Sequence, residues 1–393
     1  MAISIICPAD ICTGCLACMN VCPTKAIVKT SDELGFLRPQ IIADKCIECN
    51  LCVKTCPSNN IPDRNACDTA IAAIAKSEDI LSKSASGGIA TLISENIIEH
   101  NGVVYGCDGT DIYNIKHVRI SDKESLWRIK GSKYIQSNIS DIYAPVLSDL
   151  KNGKTVLFFG ISCQVAGLLK FLKKPYDNLF CINLVCHGAA SQRMISSAIN
   201  EYKHRLKTDQ IRDIRFRKKN IENNTCTGIE YGLFFHSCGR DYSFTDHHDA
   251  FTFGYANALL FRDSCYNCLY TKTERVGDMT IGDFWNLQEN VGAHGKKSVS
   301  LLLLHTAKGQ FLFDSIKPSI DYIQRPLAEA IKGNPQLIQP TDRAPELHIF
   351  REAFKKNELS FAVRHAKRKV LRNIRIYDFL KTLGLSKIVD RLR

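Results

Sequence analysis

Cys12-Thr13-Gly14-Cys15-Leu16-Ala17-Cys18-Met19-Asn20-Val21-Cys22-Pro23 decides how this chain begins. A second run of the same form follows, Cys46-Ile47-Glu48-Cys49-Asn50-Leu51-Cys52-Val53-Lys54-Thr55-Cys56-Pro57. Each is C-x2-C-x2-C-x3-C-P, a spacing that serves a pair of [4Fe–4S] clusters. Three thiolates two residues apart on a tight loop reach three corners of one cubane. The fourth cysteine is expected to open a helix directed at the other cluster, and the proline turns the chain out of the loop. The sharing is therefore crossed. Cys12, Cys15, Cys18 and Cys56 hold one cluster, and Cys46, Cys49, Cys52 and Cys22 hold the other. Structural zinc uses paired ligands with a distant partner pair, which two four-membered runs do not supply. Cys7 and Cys67 flank the repeat and are read as bystanders.

The first sixty residues resemble bacterial ferredoxins, including the linker Gly35-Phe36-Leu37-Arg38-Pro39. Such a module passes single electrons to another site, and the remaining chain is long enough to contain it. At 393 residues it suits two to three domains. Hydrophobic content of 45% and charged content of 23% fit a globular chain. No apolar run approaches the roughly 18–20 residues that cross a bilayer. Met1 to Pro8 carries no basic residue ahead of its apolar stretch, so it does not read as a secretory signal. The protein is expected in the cytoplasm, where thiols stay reduced and eighteen cysteines point to metal rather than disulfides.

The formal charge is +12, but residues 351–393 hold thirteen basic and four acidic residues. Each cluster with its four thiolates adds about −2. The body becomes mildly acidic with a basic tail, which argues against a nucleic-acid partner. The stretch 350–370 alternates Phe350, Phe354, Phe361 and Val363 with Lys355, Lys356, Arg364 and Lys367. It reads as a solvated helix, with an anionic membrane face or an acidic partner protein as the other readings.

The expected organisation is α+β: a two-cluster module over 1–60, a linker helix within 61–84, a mixed α/β domain over 85–340, and a basic helical tail over 341–393. The α/β domain divides into 85–150 and 151–340. Within it, Ile89–Glu99 reads as a helix and 102–107 as a strand. Strand patterns at 155–159 and 179–185 alternate with helical ones at 164–172 and 192–206, and Val299–Leu304 reads as a buried strand. Ser86-Gly87-Gly88 precedes the first helix, where free N–H groups form either a phosphate site or an ordinary cap. Cys163 and Cys186 fall at strand ends, where ligands gather in such folds. With the pair Cys265-x2-Cys268 they make four thiols, open to a third cluster, a zinc, a redox dithiol or plain core packing. No G-x-G-x-x-G occurs. Gly153-Lys154-Thr155 imitates a P-loop end, but position 148 is Ser.

Ser86-Gly87-Gly88, Lys130-Gly131-Ser132-Lys133-Tyr134, Gly160-Ile161-Ser162-Cys163-Gln164, Cys186-His187-Gly188, Cys265-x2-Cys268 and 277–285 occur together in this order. In that order they resemble the coenzyme F420 hydrogenase/dehydrogenase beta-subunit family, and most of all its bacterial ferredoxin-fused members found with polysaccharide genes. The resemblance spans about residues 1–340. It departs at Ile161-Ser162, where many members carry Thr-Pro. It implies FAD beside a third [4Fe–4S] cluster on Cys163, Cys186, Cys265 and Cys268. The candidate FAD contacts are Ser86, Gly87, Gly88, Lys130, Ser132, Lys133, Gln164 and Asp283, each with a turn, cap or surface charge as its other reading. His187 is the candidate catalytic proton donor, with a hydrogen-bonding role beside a cluster ligand as its other reading. Trp285 reads as a core residue, and His247 and His248 as parts of a polar loop.

The implied activity is electron relay between an external ferredoxin or reductase, the clusters, FAD and an organic substrate. That substrate is a sugar or lipid-linked intermediate if the polysaccharide setting holds. The other reading is an electron-transfer subunit docked on a separate catalytic partner.

Overall fold

In the computed structural model the described residues are 5–222, 225–292 and 298–382. The N-terminal module is built on an antiparallel hairpin of β1 (Ile27–Ser31) and β2 (Leu37–Ile41), registered Ile27 against Ile41. Asp32 closes its turn: Oδ1 accepts from the backbone N–H groups of Leu34 (3.1 Å) and Phe36 (2.9 Å). Short helices Ala17–Asn20 and Leu51–Thr55 carry the third cysteine of each run. Cys56 closes its helix and Cys22 follows the end of the first, so neither opens a helix, which corrects the expectation from spacing. Cys56 sits at φ −64°, ψ 118°, because a following proline disfavours helical geometry in the residue before it.

The larger domain holds β3 (Thr69–Ala75), β4 (Val103–Asp108), β5 (Lys116–Ile120), β6 (Val156–Ile161) and β7 (Leu179–Leu184). A separate antiparallel sheet comprises β8 (Arg212–Glu222), β9 (Thr225–Ser237) and β10 (Arg240–Thr245). The chain then returns with β11 (Met279–Asp283), β12 (Ser300–Leu304) and β13 (Ile320–Pro326). The main sheet runs β13-β3-β12-β11-β7-β6-β4-β5. Its centre, β4-β6-β7-β11, is parallel, and the flanks are antiparallel. The alternating pattern pointed to an α/β layer, and helices Ile89–Glu99, Ser162–Leu172 and Gln192–Leu206 fall where expected.

One expectation about organisation is corrected. The stretch Asp68–Ser82 is no linker helix. Thr69–Ala75 is an inner strand between β13 and β12, and only Glu78–Ser82 is helical. Ala-rich sequence favours helix, but a strand covered on both faces also reads as an unbroken apolar run. Ile71 and Ala73 pack with Ile89 and Ile93 on one face; Ala70, Ala72 and Ile74 pack with Phe284 and Leu301 on the other. The parts 85–150 and 151–340 share one sheet, because β4 pairs with β6 across that point, Val103 against Val156.

The C-terminal tail is also corrected. Helices Leu347–Lys356 and Leu359–Ala366 bury Phe350, Phe354, Leu359 and Val363 against Phe216, Leu233 and Phe251. Lys356 and Arg364 face outward, but Lys367 is buried and donates to Glu346 at 2.8 Å, and Phe361 stays exposed. Helix Arg368–Thr382 buries no residue. Residues 383–393 of the expected tail lie outside the described residues.

Candidate functional site

A cavity of about 560 Å³ opens at the carboxyl ends of the parallel strands. Its walls come from β4 at Gly106 and Cys107, β6 at Gly160 and Ile161, and β11 at Gly282 and Asp283. Its size falls within the range of cofactor and ligand sites. Of the predicted cofactor residues, Ser86, Gly88, Lys130, Ser132, Lys133, Gln164 and Asp283 line it.

Gly87 does not. A Cβ there would stand 2.5 Å from the Ala73 carbonyl oxygen and 2.9 Å from the Ser300 nitrogen. Its own N–H donates to Ser300 Oγ at 3.0 Å. This glycine lets the loop lie flat on β3 and β12, a packing role where the sequence pattern suggested a ligand contact.

Gln164 works within the wall. Its Oε1 accepts from the Ile161 N–H (3.2 Å), and its Nε2 donates to Ser137 Oγ (3.0 Å). Ser137 in turn pairs with His117 Nδ1 at 2.8 Å, and His117 Nε2 pairs with the Phe159 carbonyl at 2.7 Å. Burial holds His117 down at about 4, so it stays neutral in this network. Lys133 donates to the Lys130 carbonyl at 2.7 Å, and burial lowers its pKa.

Asp283 has an unforeseen partner. Arg217, from β8, donates to Asp283 Oδ2 at 2.6 Å and to the Tyr134 hydroxyl at 2.7 Å. Its guanidinium also lies over the Tyr231 ring, 5.0 Å from the centroid. The sequence offers no local signal for Arg217, because nothing in the pattern of β8 says that one of its arginines turns inward. Among the described residues Asp283 Oδ1, the Tyr231 hydroxyl and Asn334 Oδ1 are buried without a partner, and all three groups line the cavity. Such atoms suit an occupant that completes their hydrogen bonds. Trp285 lines the cavity too, with its ring 6.1 Å from that of Tyr231, rather than filling the core.

The twelve predicted thiols fall into three groups. Cys12, Cys15, Cys18 and Cys56 line one small cavity, and Cys22, Cys46, Cys49 and Cys52 line another. Cys163, Cys186, Cys265 and Cys268 line a third, of about 40 Å³. The first two groups are the crossed sets that the spacing predicts. Cys7 also lines the first of these cavities. Cys67 remains outside, packed beside the core of β3 and β12. In the third group burial pushes every thiol up, Cys265 to about 11. These thiols ionise only with a bound cation to hold the charge. Among the described residues no three His, Cys, Asp or Glu side chains close around a single metal ion.

The walls of these cavities are shared. Thr13 borders both the Cys12 group and the Cys163 group. Cys186, His187 and Gly188 stand between the Cys163 group and the large cavity. Gly188, at φ +151°, presses so closely on Phe261 that a Cβ would meet its ring at 2.4 Å. Burial lowers the pKa of His187, which keeps it neutral, and its carbonyl accepts from Thr341 Oγ1 at 2.7 Å. The module is fixed to the domain by buried polar contacts: Tyr143 hydroxyl to the Cys15 carbonyl (2.6 Å), Gln136 to the Thr13 carbonyl (2.6 Å), and Tyr270 hydroxyl to the Pro57 carbonyl (3.0 Å). His247 occupies a short turn and pairs with Asp378 at 3.2 Å, far in sequence from these groups.

Comparison with known families accounts for this layout. Residues 153–328 match the family described as the C terminus of the coenzyme F420 hydrogenase/dehydrogenase beta subunit, and residues 11–60 match the 4Fe-4S dicluster domain. The chain is similar to that beta subunit over residues 153–328. It is an iron–sulfur electron-transfer protein related to that beta subunit, with a dicluster module at its N-terminus. No curated protein matches the sequence. Among solved structures, it is similar to a chain from the xenon-derivatised F420-reducing [NiFe] hydrogenase complex of Methanosarcina barkeri, at 16% identity and a TM-score of 0.44, covering 79% of this chain and 94% of that one. Among the described residues no helix is long and apolar enough to cross a membrane.

Proposed function

We infer that this beta-subunit relative is an iron–sulfur flavoprotein oxidoreductase, which moves electrons between ferredoxin-type clusters and an organic substrate. The observation that carries the reading is the run of shared walls, from the Cys12 group through Thr13 to the Cys163 group, and through Cys186 and His187 to the large cavity. Four thiols lining one small cavity fit a third [4Fe–4S] cluster. The large cavity fits FAD: it has the volume, three unpartnered buried polar atoms and a cationic wall of Lys130, Lys133 and Arg217. When bound, a flavin supplies the change between one- and two-electron chemistry.

The chain's own residues have distinct tasks in this reading. Ser86 and Gly88 present the start of helix Ile89–Glu99 to an anionic group. Lys130 and Arg217 supply positive charge, and Asp283, held by Arg217, keeps one oxygen free to accept a hydrogen bond. His187, neutral and on the wall beside the cluster site, is the proton carrier. Gln164 fixes the loop that shapes the cavity floor. The electron donor or acceptor is a ferredoxin or a reductase, and the substrate is a sugar or lipid-linked intermediate of surface-polysaccharide synthesis. Exposed helix Arg368–Thr382 is the segment available for contact with an anionic membrane face.

The deciding experiment counts iron, acid-labile sulfide and released flavin per chain, on protein purified without oxygen. About twelve irons and one FAD are expected. About eight irons without flavin would replace this reading with an electron carrier docked on a separate catalytic partner.

A further inference from the structure

Two arginines are buried beside the Cys163 group, Arg262 at 1% and Arg275 at 3% exposure. A buried guanidinium ordinarily meets a carboxylate, because leaving it unpaired costs several kcal/mol. Among the described residues neither has one; all their partners are neutral. Arg262 donates from Nε to Gln136 Oε1 (3.0 Å), from Nη1 to the Cys12 carbonyl (3.3 Å) and from Nη2 to the Leu37 carbonyl (2.9 Å). It also lies over the Phe36 ring, 5.0 Å from the centroid. Arg275 donates from Nη1 to Ser162 Oγ (3.4 Å) and to the Tyr270 carbonyl, and from Nη2 to the Gln336 carbonyl (3.2 Å). Its Nε is buried with no partner. Both residues line the third thiol cavity, and Arg262 also reaches the loop of Cys12.

We propose that Arg262 and Arg275 are the counter-charges of the third cluster, and that they raise its reduction potential so that it accepts electrons from the N-terminal module. The inference rests on the three-cluster reading above. A [4Fe–4S] cluster with four thiolates carries about −2 when oxidised and about −3 after one electron, with no bond made and no proton moved. Two fixed positive charges in a site of low dielectric favour the more negative state. They also explain how two cations survive burial without carboxylates: the charge that balances them belongs to the cluster. Arg262 stands between two cluster sites and acts on both, whereas Arg275 acts on the third alone. Both are positioning residues for charge, not groups that react.

The test is a potentiometric titration followed by EPR, with dithionite as the one-electron donor, on full-length protein purified without oxygen. Wild type is compared with Arg275→Gln, Arg275→Lys, Arg262→Gln and Arg262→Lys, and iron is counted in every sample. Arg275→Gln is expected to keep its iron while the signal that Cys265→Ser abolishes becomes about tenfold harder to reduce, about 59 mV for one electron. Arg262→Gln is expected to move that signal and one signal of the module, and lysine at either position to restore most of the shift. Wild-type iron with unmoved potentials in both glutamine variants overturns the inference and leaves the cluster reading standing. Eight irons in the wild type overturns both. If glutamine costs the protein its third cluster, lysine decides: iron retained with lysine supports a role for charge, and iron lost with lysine as well overturns it.

Discussion

The N-terminal module and the third thiol group are built from the same residue type by opposite means. Eight cysteines of the module come from two contiguous runs, and each loop carries most of its own site within seven residues. The four cysteines of the third group come from the start of helix Ser162–Leu172, the end of β7 and the turn around Asp263–Tyr266. The first arrangement is local and needs little besides its loops. The second exists only once the parallel centre of the sheet is paired. Local sites announce themselves in sequence by spacing, and assembled sites do so only through scattered single residues.

The largest effect that would sharpen this contrast is loss of one thiol from the assembled site. Cys186→Ser is expected to reduce iron from about twelve to about eight per chain while leaving the EPR signals of the module in place. Loss of all signals would mean that the two regions assemble as one unit. Next, Asp283→Ala removes the carboxylate from a buried pair and strands Arg217, at a cost of about 3–5 kcal/mol. Denaturant titration should detect it, and a loss under about 1 kcal/mol would place the pair in a wetter setting than its geometry implies.

Gly87→Ala forces a Cβ onto the Ala73 carbonyl and is expected to cost about 1–3 kcal/mol. An unchanged midpoint would show that the loop lifts off β3 easily. Tyr143→Phe deletes the hydroxyl that docks the module through the Cys15 carbonyl. It should cost about 1–2 kcal/mol in thermal unfolding without loss of iron, and iron loss would tie docking to cluster retention. The smallest effect concerns pH. His117 is held neutral, with its folded pKa near 4 against 6.5 when free. Its contribution is whole above about pH 6.5 and is lost as pH falls toward 4, because the unfolded chain binds the proton first. His117→Gln should flatten that part of the stability profile, measured by denaturant midpoints at pH 7.5 and 5.5.

Much of this was legible. The module was readable because each run carries its ligands at fixed spacing. The helices Ile89–Glu99 and Gln192–Leu206 were readable from apolar periodicity. The parallel strands β6 and β7 followed from apolar runs with ligand residues at their ends. What escaped has a common cause. β3 was hidden because alanine and isoleucine covered on both faces give no period to read. The packing of the tail helices was hidden, because their apolar stripe meets Phe216 and Leu233, which are far away in sequence. Arg217, Arg262 and Arg275 were hidden because burial of a charged side chain is decided by tertiary packing, and the chain has many arginines that stay outside.

The strand β3 has a consequence for how the protein is made. It lies between β12 and β13, whose residues leave the ribosome some 230 positions later than Thr69–Ala75. At roughly 5–20 residues per second, the interval is on the order of 10–50 s. During that time β3 has exposed edges and no neighbour, a long-range closure that slows folding. The cysteine runs ahead of it need no such wait. Maturation is therefore ordered in time: the N-terminal runs are complete early on the nascent chain, whereas the place set by Cys163, Cys186, Cys265 and Cys268 waits until the parallel centre of the sheet is paired.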